Sequence, residues 1–158
     1  YRVPLPSGEV LALGERTLVM AIVNVTPDSF SDGGRHVDPR AAVDAALLMV
    51  EQGADVLDLG GESTRPGAAP LPLEDEWRRI GPVLEGLAGR VRVPISIDTY
   101  KAEVARRALD AGASLVNDVT ALAGDPAMAA LLAERRAPVV LMHHRGRSDD
   151  MYARALYT

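Results

Sequence analysis

The chain has 158 residues, 47% of them apolar, a formal charge of −5 and no cysteine. That length allows one domain with a sizeable core, no apolar run reaches membrane-spanning length, and the acidic balance gives no general pull towards nucleic acid. The missing cysteine excludes disulfides and thiolate metal ligands, and the whole reads as a cytoplasmic small-molecule protein with neither nucleic-acid nor membrane partners. No signal-peptide pattern opens the chain; Tyr1 is not Met, so the true N-terminus is expected to be missing or processed.

In chain order, the segment VPLPSGEVLALGERT (3–17) predicts a short hairpin about Ser7-Gly8. Apolar runs at 18–23, 55–59, 94–97, 115–117 and 138–142 predict strands. Between them the spacing is helical. Val43, Ala46, Leu47 and Val50 share one face, as do Leu73, Trp77, Ile80, Leu84 and Leu87, and then Val104, Ala105, Ala108 and Leu109. Asp38-Pro39 and Asp125-Pro126 read as N-caps with Pro at the first helical position, and Gly53 and Gly112 as helix stops. Pro82 is expected to kink or divide the second helix.

The stretches QGADVLDLGG and AGASLVNDVT echo one another as helix end, Gly, strand and acid, which successive βα units produce. Largely apolar strands imply a parallel sheet covered by helices. A doubly wound sheet and a TIM barrel both fit. Both carry function at strand C-terminal ends, where Asn24, Asp58 to Arg65, Asp98-Thr99, Asn117-Asp118 and His143 fall. With polar residues at every strand end and no Gly-x-Gly-x-x-Gly or Walker loop, the α/β class resolves to a TIM (β/α)8 barrel. A closed barrel needs eight strands and typically about 250 residues. Residues 1–158 are therefore expected to form the N-terminal part of one barrel domain, roughly its first five βα units.

Several stretches carry chemistry. NVTPDSFSDGG (24–34) places the chain's one Phe in a polar loop behind a buried strand. In DLGGESTRPGA, Gly60-Gly61 would let backbone approach a ligand closely, Thr64 offers a hydroxyl and Arg65 a fork for carboxylate or phosphate, although an ordinary Gly-rich loop with an exposed Arg reads the same way. Asp98 in ISIDTYK can accept two N–H donors from a guanidine-like edge, or Asp98 or Thr99 can merely cap the following helix. Asn117 in VNDV both donates and accepts, which suits a lactam edge, although an Asn alone at this position is more often a turn or cap residue. His143-His144 lacks metal-site spacing and reads as a structural pair. Taken together, Asp98 and Asn117 would hold a flat N–H-rich heterocycle, with an anion or leaving group towards Asn24, Thr64 and Arg65.

MAIVNVTPDSFSDGG and LDLGGESTRPGA, followed in order by ISIDTYKAEVARRAL, ASLVNDVTAL and VVLMHHRG, closely resemble the dihydropteroate synthase family over nearly the whole chain. The resemblance implies a TIM barrel, usually a homodimer, that joins p-aminobenzoate to 6-hydroxymethyl-7,8-dihydropterin pyrophosphate. The products are 7,8-dihydropteroate and pyrophosphate, and sulfonamides compete with the aminobenzoate. It implies Asn24 as a Mg²⁺ ligand beside the pyrophosphate, Thr64, Asp98 and Asn117 as pterin-binding residues, and Asp98 and Asn117 as the catalytic pair. The loop with Thr26, Pro27, Asp28, Ser29 and Phe30, and the loop with Arg65 and Pro66, would close over the aminobenzoate side. Such closure would exclude water from a cationic pterin methylene.

His144 stands where the family often has Met, NDVTAL replaces a commoner Ser-Gly, and Tyr100 occupies a variable position. The family's later pterin-binding Asp, substrate-binding Lys and Arg-x-His segment have no counterpart in this sequence, which implies that the chain by itself is inactive. Two rivals remain: a pterin-binding methyltransferase-type barrel, against which NVTPDSFSDGG and STRPG argue, and a non-catalytic synthase-like module.

Overall fold

The computed structural model describes residues 1–26, 38–63 and 70–143. The expected hairpin forms from β1 (Arg2–Pro4) and β2 (Val10–Ala12), paired antiparallel. Five parallel strands follow in sequential order: β3 (Met20–Asn24), β4 (Val56–Gly60), β5 (Ile95–Asp98), β6 (Leu115–Asp118) and β7 (Val139–Leu141). The helices α1 (Pro39–Glu51), α2 (Leu73–Leu87), α3 (Ala102–Asp110) and α4 (Met128–Arg135) alternate with them. Consecutive parallel strands linked through helices make the arc of a (β/α) barrel.

Register decides what faces where. Val23, Leu59 and Ile97 align across β3, β4 and β5 and pack with Val43, Ile80, Leu84 and Leu87 of α1 and α2. A smaller cluster joins Val116 to Ala105, Met128 and Leu132 of α3 and α4. Full burial of each such Leu, Ile or Val is worth about 1.5–3 kcal/mol, so this outer face anchors the sheet to its helices. The alternate residues face the other way, where Met20 and Ile22 are 38% and 61% exposed.

Local signals hold with two corrections. Asp38 caps α1 through Arg40 N at 2.9 Å, and Gly53 and Gly112 end α1 and α3 with φ of +103° and +102°. Pro82 does not divide α2, which runs unbroken from Leu73 to Leu87. It lies on the exposed side of a continuous helix, where water can take the carbonyl that its missing N–H leaves unpaired. Asp125-Pro126 does not open α4, which starts at Met128. Asp125 instead clamps the preceding turn through Ala127 N and accepts a hydrogen bond from Ala102 N at the start of α3.

Candidate active site

The strand ends bring the expected residues into one row. Asn24 is in register with Gly60, Gly60 with Asp98, Asp98 with Asn117, and Asn117 with Val140. Residues in register share a face, so Asn24, Asp98 and Asn117 point off the sheet on the side away from the helices. Asn24 is exposed at the end of β3, and Thr26 follows it half-buried. A Cβ at Gly60 would stand 3.5 Å from Asp98 Oδ2, so the glycine keeps the space beside that carboxylate open. Thr64, Arg65 and Pro66, and Pro27, Asp28, Ser29 and Phe30, lie outside the described residues. His143 lies two residues beyond the end of β7, while His144 is outside the described residues as well.

Asp98 does not cap α3. Thr99 Oγ1 takes the Lys101 N–H at 3.2 Å and Asp125 the next one, which leaves the Asp98 carboxylate for other work. Its Oδ1 is buried with no hydrogen-bond partner among the described residues. Burial pushes the Asp98 carboxyl up to about 7, helped by the negative charges of Asp58, Glu76, Asp118 and Glu62. An acid so placed binds a cationic or N–H-rich partner strongly once ionised.

Asp58 had no assigned role in the sequence, yet it belongs to the site. It sits 3% exposed one row below Gly60 on the same face, and Asn117 Nδ2 donates to its Oδ2 at 3.0 Å. That bond fixes the Asn117 amide, leaving its oxygen and second N–H for a ligand. The signal was an acid inside the apolar strand VLDLG, two residues before a glycine already placed on the site face. Asp118, by contrast, is structural. Its carboxylate accepts from Thr120 N, Thr120 Oγ1 and Leu122 N at 2.7–2.9 Å, holding a turn in which Ala121 and Leu122 have φ of 52° and 68°.

The double glycine also differs from expectation. A Cβ at Gly61 would meet Ile80 Cγ2 at 2.9 Å and the Glu76 carbonyl oxygen at 3.1 Å, so Gly61 permits close approach to α2 rather than to a ligand. Beyond it Glu62, Glu76 and Lys101 form an ion-pair cluster that sequence patterning missed. Glu76, on the buried face of α2, is 1% exposed. A cleft of about 470 Å³ lies at the opposite end of the sheet, near Ile95 and Ser114 at the strand starts, away from this row. No group of three or more His, Asp or Glu among the described residues could hold a metal ion.

Parallel strands in sequential order, with an Asp and an Asn converging at their C-terminal ends, define part of a (β/α) barrel, a fold whose sites lie at that end. The chain belongs to the pterin binding enzyme family, which matches residues 20–158. It is similar to the dihydropteroate synthase of Synechocystis sp., 48% identical over 149 residues that make up 94% of this chain and 52% of that protein. Among solved structures it is similar to Xanthomonas albilineans dihydropteroate synthase with 4-aminobenzoic acid, at 52% identity and a TM-score of 0.83, covering 91% of this chain and 53% of that one. It is also similar to a Yersinia pestis dihydropteroate synthase in complex with a sulfonamide drug, at 43% identity and a TM-score of 0.88, covering 99% and 56%. The five strands are thus consecutive strands of a TIM barrel. The chain spans about half the length of the curated relatives it matches.

Proposed function

We propose that this chain supplies the N-terminal half of a dihydropteroate synthase of folate biosynthesis, a transferase acting on 6-hydroxymethyl-7,8-dihydropterin pyrophosphate and p-aminobenzoate. The observation that carries the reading is the row Asn24–Gly60–Asp98–Asn117 in a member of the pterin binding enzyme family. Ionised Asp98 accepts two N–H donors from the guanidine-like edge of the pterin, and Asn117, held by Asp58, pairs with the neighbouring lactam edge. The C–O bond to pyrophosphate breaks and its electron pair leaves on the pyrophosphate oxygen. The amine lone pair of p-aminobenzoate then forms the C–N bond, and the resulting ammonium gives its proton to solvent. Asp98 supports positive charge developing on the pterin and is not needed as a base, because an amine attacks a cation unaided. Thr64 contacts the pterin substrate, and Arg65, Pro66 and the Thr26–Phe30 segment serve the aminobenzoate side.

The donor set at Asn24 suits a magnesium ion held by one amide oxygen, phosphate oxygens and water. When bound, that ion supplies charge stabilisation to the leaving group. A cysteine-free chain fits the cytoplasm, and a homodimer is the expected assembly. The test is 7,8-dihydropteroate formation by the complete encoded polypeptide with both substrates and Mg²⁺. Product at a rate dependent on p-aminobenzoate is expected; a folded protein that binds the pterin and forms none overturns the reading.

A further inference from the structure

The chemistry above leaves one buried ionic cluster unused. Lys101 follows Asp98 by three residues and is the cation nearest to it in the chain. Its ammonium nevertheless pairs with Glu62, from the segment beyond β4, and with Glu76 Oε2 of α2 at 2.5 Å. Tyr100 closes the cluster, donating from its hydroxyl to Glu62 Oε1 at 2.9 Å while its ring lies 4.5 Å from the ammonium. The three charged side chains are 16%, 12% and 1% exposed for Lys101, Glu62 and Glu76. Burial lowers the Lys101 ammonium, but the two glutamates outweigh it and hold it above the ordinary lysine value.

A buried ion triad is a poor source of stability, since apolar side chains of similar volume serve as well. α2 is already anchored by Ile80, Val83, Leu84 and Leu87. What the triad achieves, and apolar packing would not, is to commit the only nearby lysine. Asp98 Oδ1 stays buried and unpaired among the described residues. The charges acting most on Asp98 are carboxylates: Asp58 of β4, Glu76 of α2, Asp118 of β6, and Glu62.

We propose that Glu62 and Glu76 are positioning residues that hold the Lys101 ammonium away from Asp98, so that Asp98 meets its ligand as an unpaired carboxylate. The inference rests on the pterin reading of Asp98. A carboxylate already neutralised by lysine would offer less to the N–H edge of a pterin, and less to positive charge developing on it.

The test uses the complete encoded polypeptide and two readouts: calorimetric binding of 6-hydroxymethyl-7,8-dihydropterin pyrophosphate at several pH values, and kcat for dihydropteroate formation. The double variant Glu62→Gln/Glu76→Gln frees Lys101 to pair with Asp98. It is expected to bind the pterin about tenfold or more weakly, with the pH midpoint of binding moved down by about one unit or more. Adding Lys101→Met removes the competing cation and restores binding to within about threefold of wild type, and because no buried charge is then stranded this triple variant folds. A double variant with wild-type affinity and pH midpoint overturns the proposal, and so does a triple variant no better than the double. Binding decides the matter even where wild type forms no product, an outcome that sinks the synthase reading alone; a wild type that does not bind the pterin overturns both.

Discussion

Asn117 on β6 hydrogen-bonds Asp58 on β4 across the whole width of β5, Nδ2 to Oδ2 at 3.0 Å. The bond ties strands that are not neighbours and orients the Asn117 amide within the candidate site. Asp58 Oδ1 is buried with no hydrogen-bond partner among the described residues, so the carboxylate relies on the donor at Oδ2.

Asn117→Ala should therefore cost about 1–3 kcal/mol of stability, because it strands a buried carboxylate. Asp58→Ala should cost less, and the pair together less than the sum of the two, with a coupling energy of about 0.5–3 kcal/mol. Urea unfolding of the four proteins in this cycle measures it. Strict additivity would mean that the two side chains act independently.

Asp98 should leave a pH signature. Its carboxyl sits at about 7 in the folded protein against an ordinary value of 3.8. The folded state holds this proton more tightly than the unfolded state does. Its stabilising contribution is thus fully present below about pH 4 and is lost as pH rises to about 7. Across that window wild type should lose up to roughly 4 kcal/mol relative to Asp98→Asn. Parallel stability–pH curves for the two proteins would contradict this.

The two adjacent glycines should separate folding from binding. In Gly61→Ala the new methyl would sit 2.9 Å from Ile80 Cγ2 and 3.2 Å from Glu76 Cγ, a clash expected to cost about 1–3 kcal/mol. In Gly60→Ala the nearest atoms are at ordinary contact, 3.5 Å away on Asp98. That variant should melt within a few degrees of wild type yet bind the pterin more weakly. Thermal melts beside calorimetric titration read both, and equal binding by Gly60→Ala and wild type would contradict the placement of the ligand beside Asp98.

The βα order was legible because apolar periodicity and glycine stops at Gly53 and Gly112 are local signals that tertiary packing did not override. Asp98 and Asn117 were legible because strand ends are where a barrel presents polar groups. Asp58 was not, since its partner lies 59 residues away and only the register across β5 brings them together. Glu76 was hidden for a related reason: an acid on a buried helix face makes sense only with Lys101, which the next βα unit delivers. Pro82 does not divide α2 because that helix gains its stability from the opposite, buried face.

Whether Asp98 reads the pterin ring is decided most directly by calorimetry of 6-hydroxymethyl-7,8-dihydropterin pyrophosphate binding to the complete encoded polypeptide, wild type against Asp98→Asn, without p-aminobenzoate. Wild-type affinity should climb as pH rises through about 7, where Asp98 ionises, and Asp98→Asn should bind at least about tenfold more weakly with no such rise. Equal affinities with the same pH dependence would contradict that role.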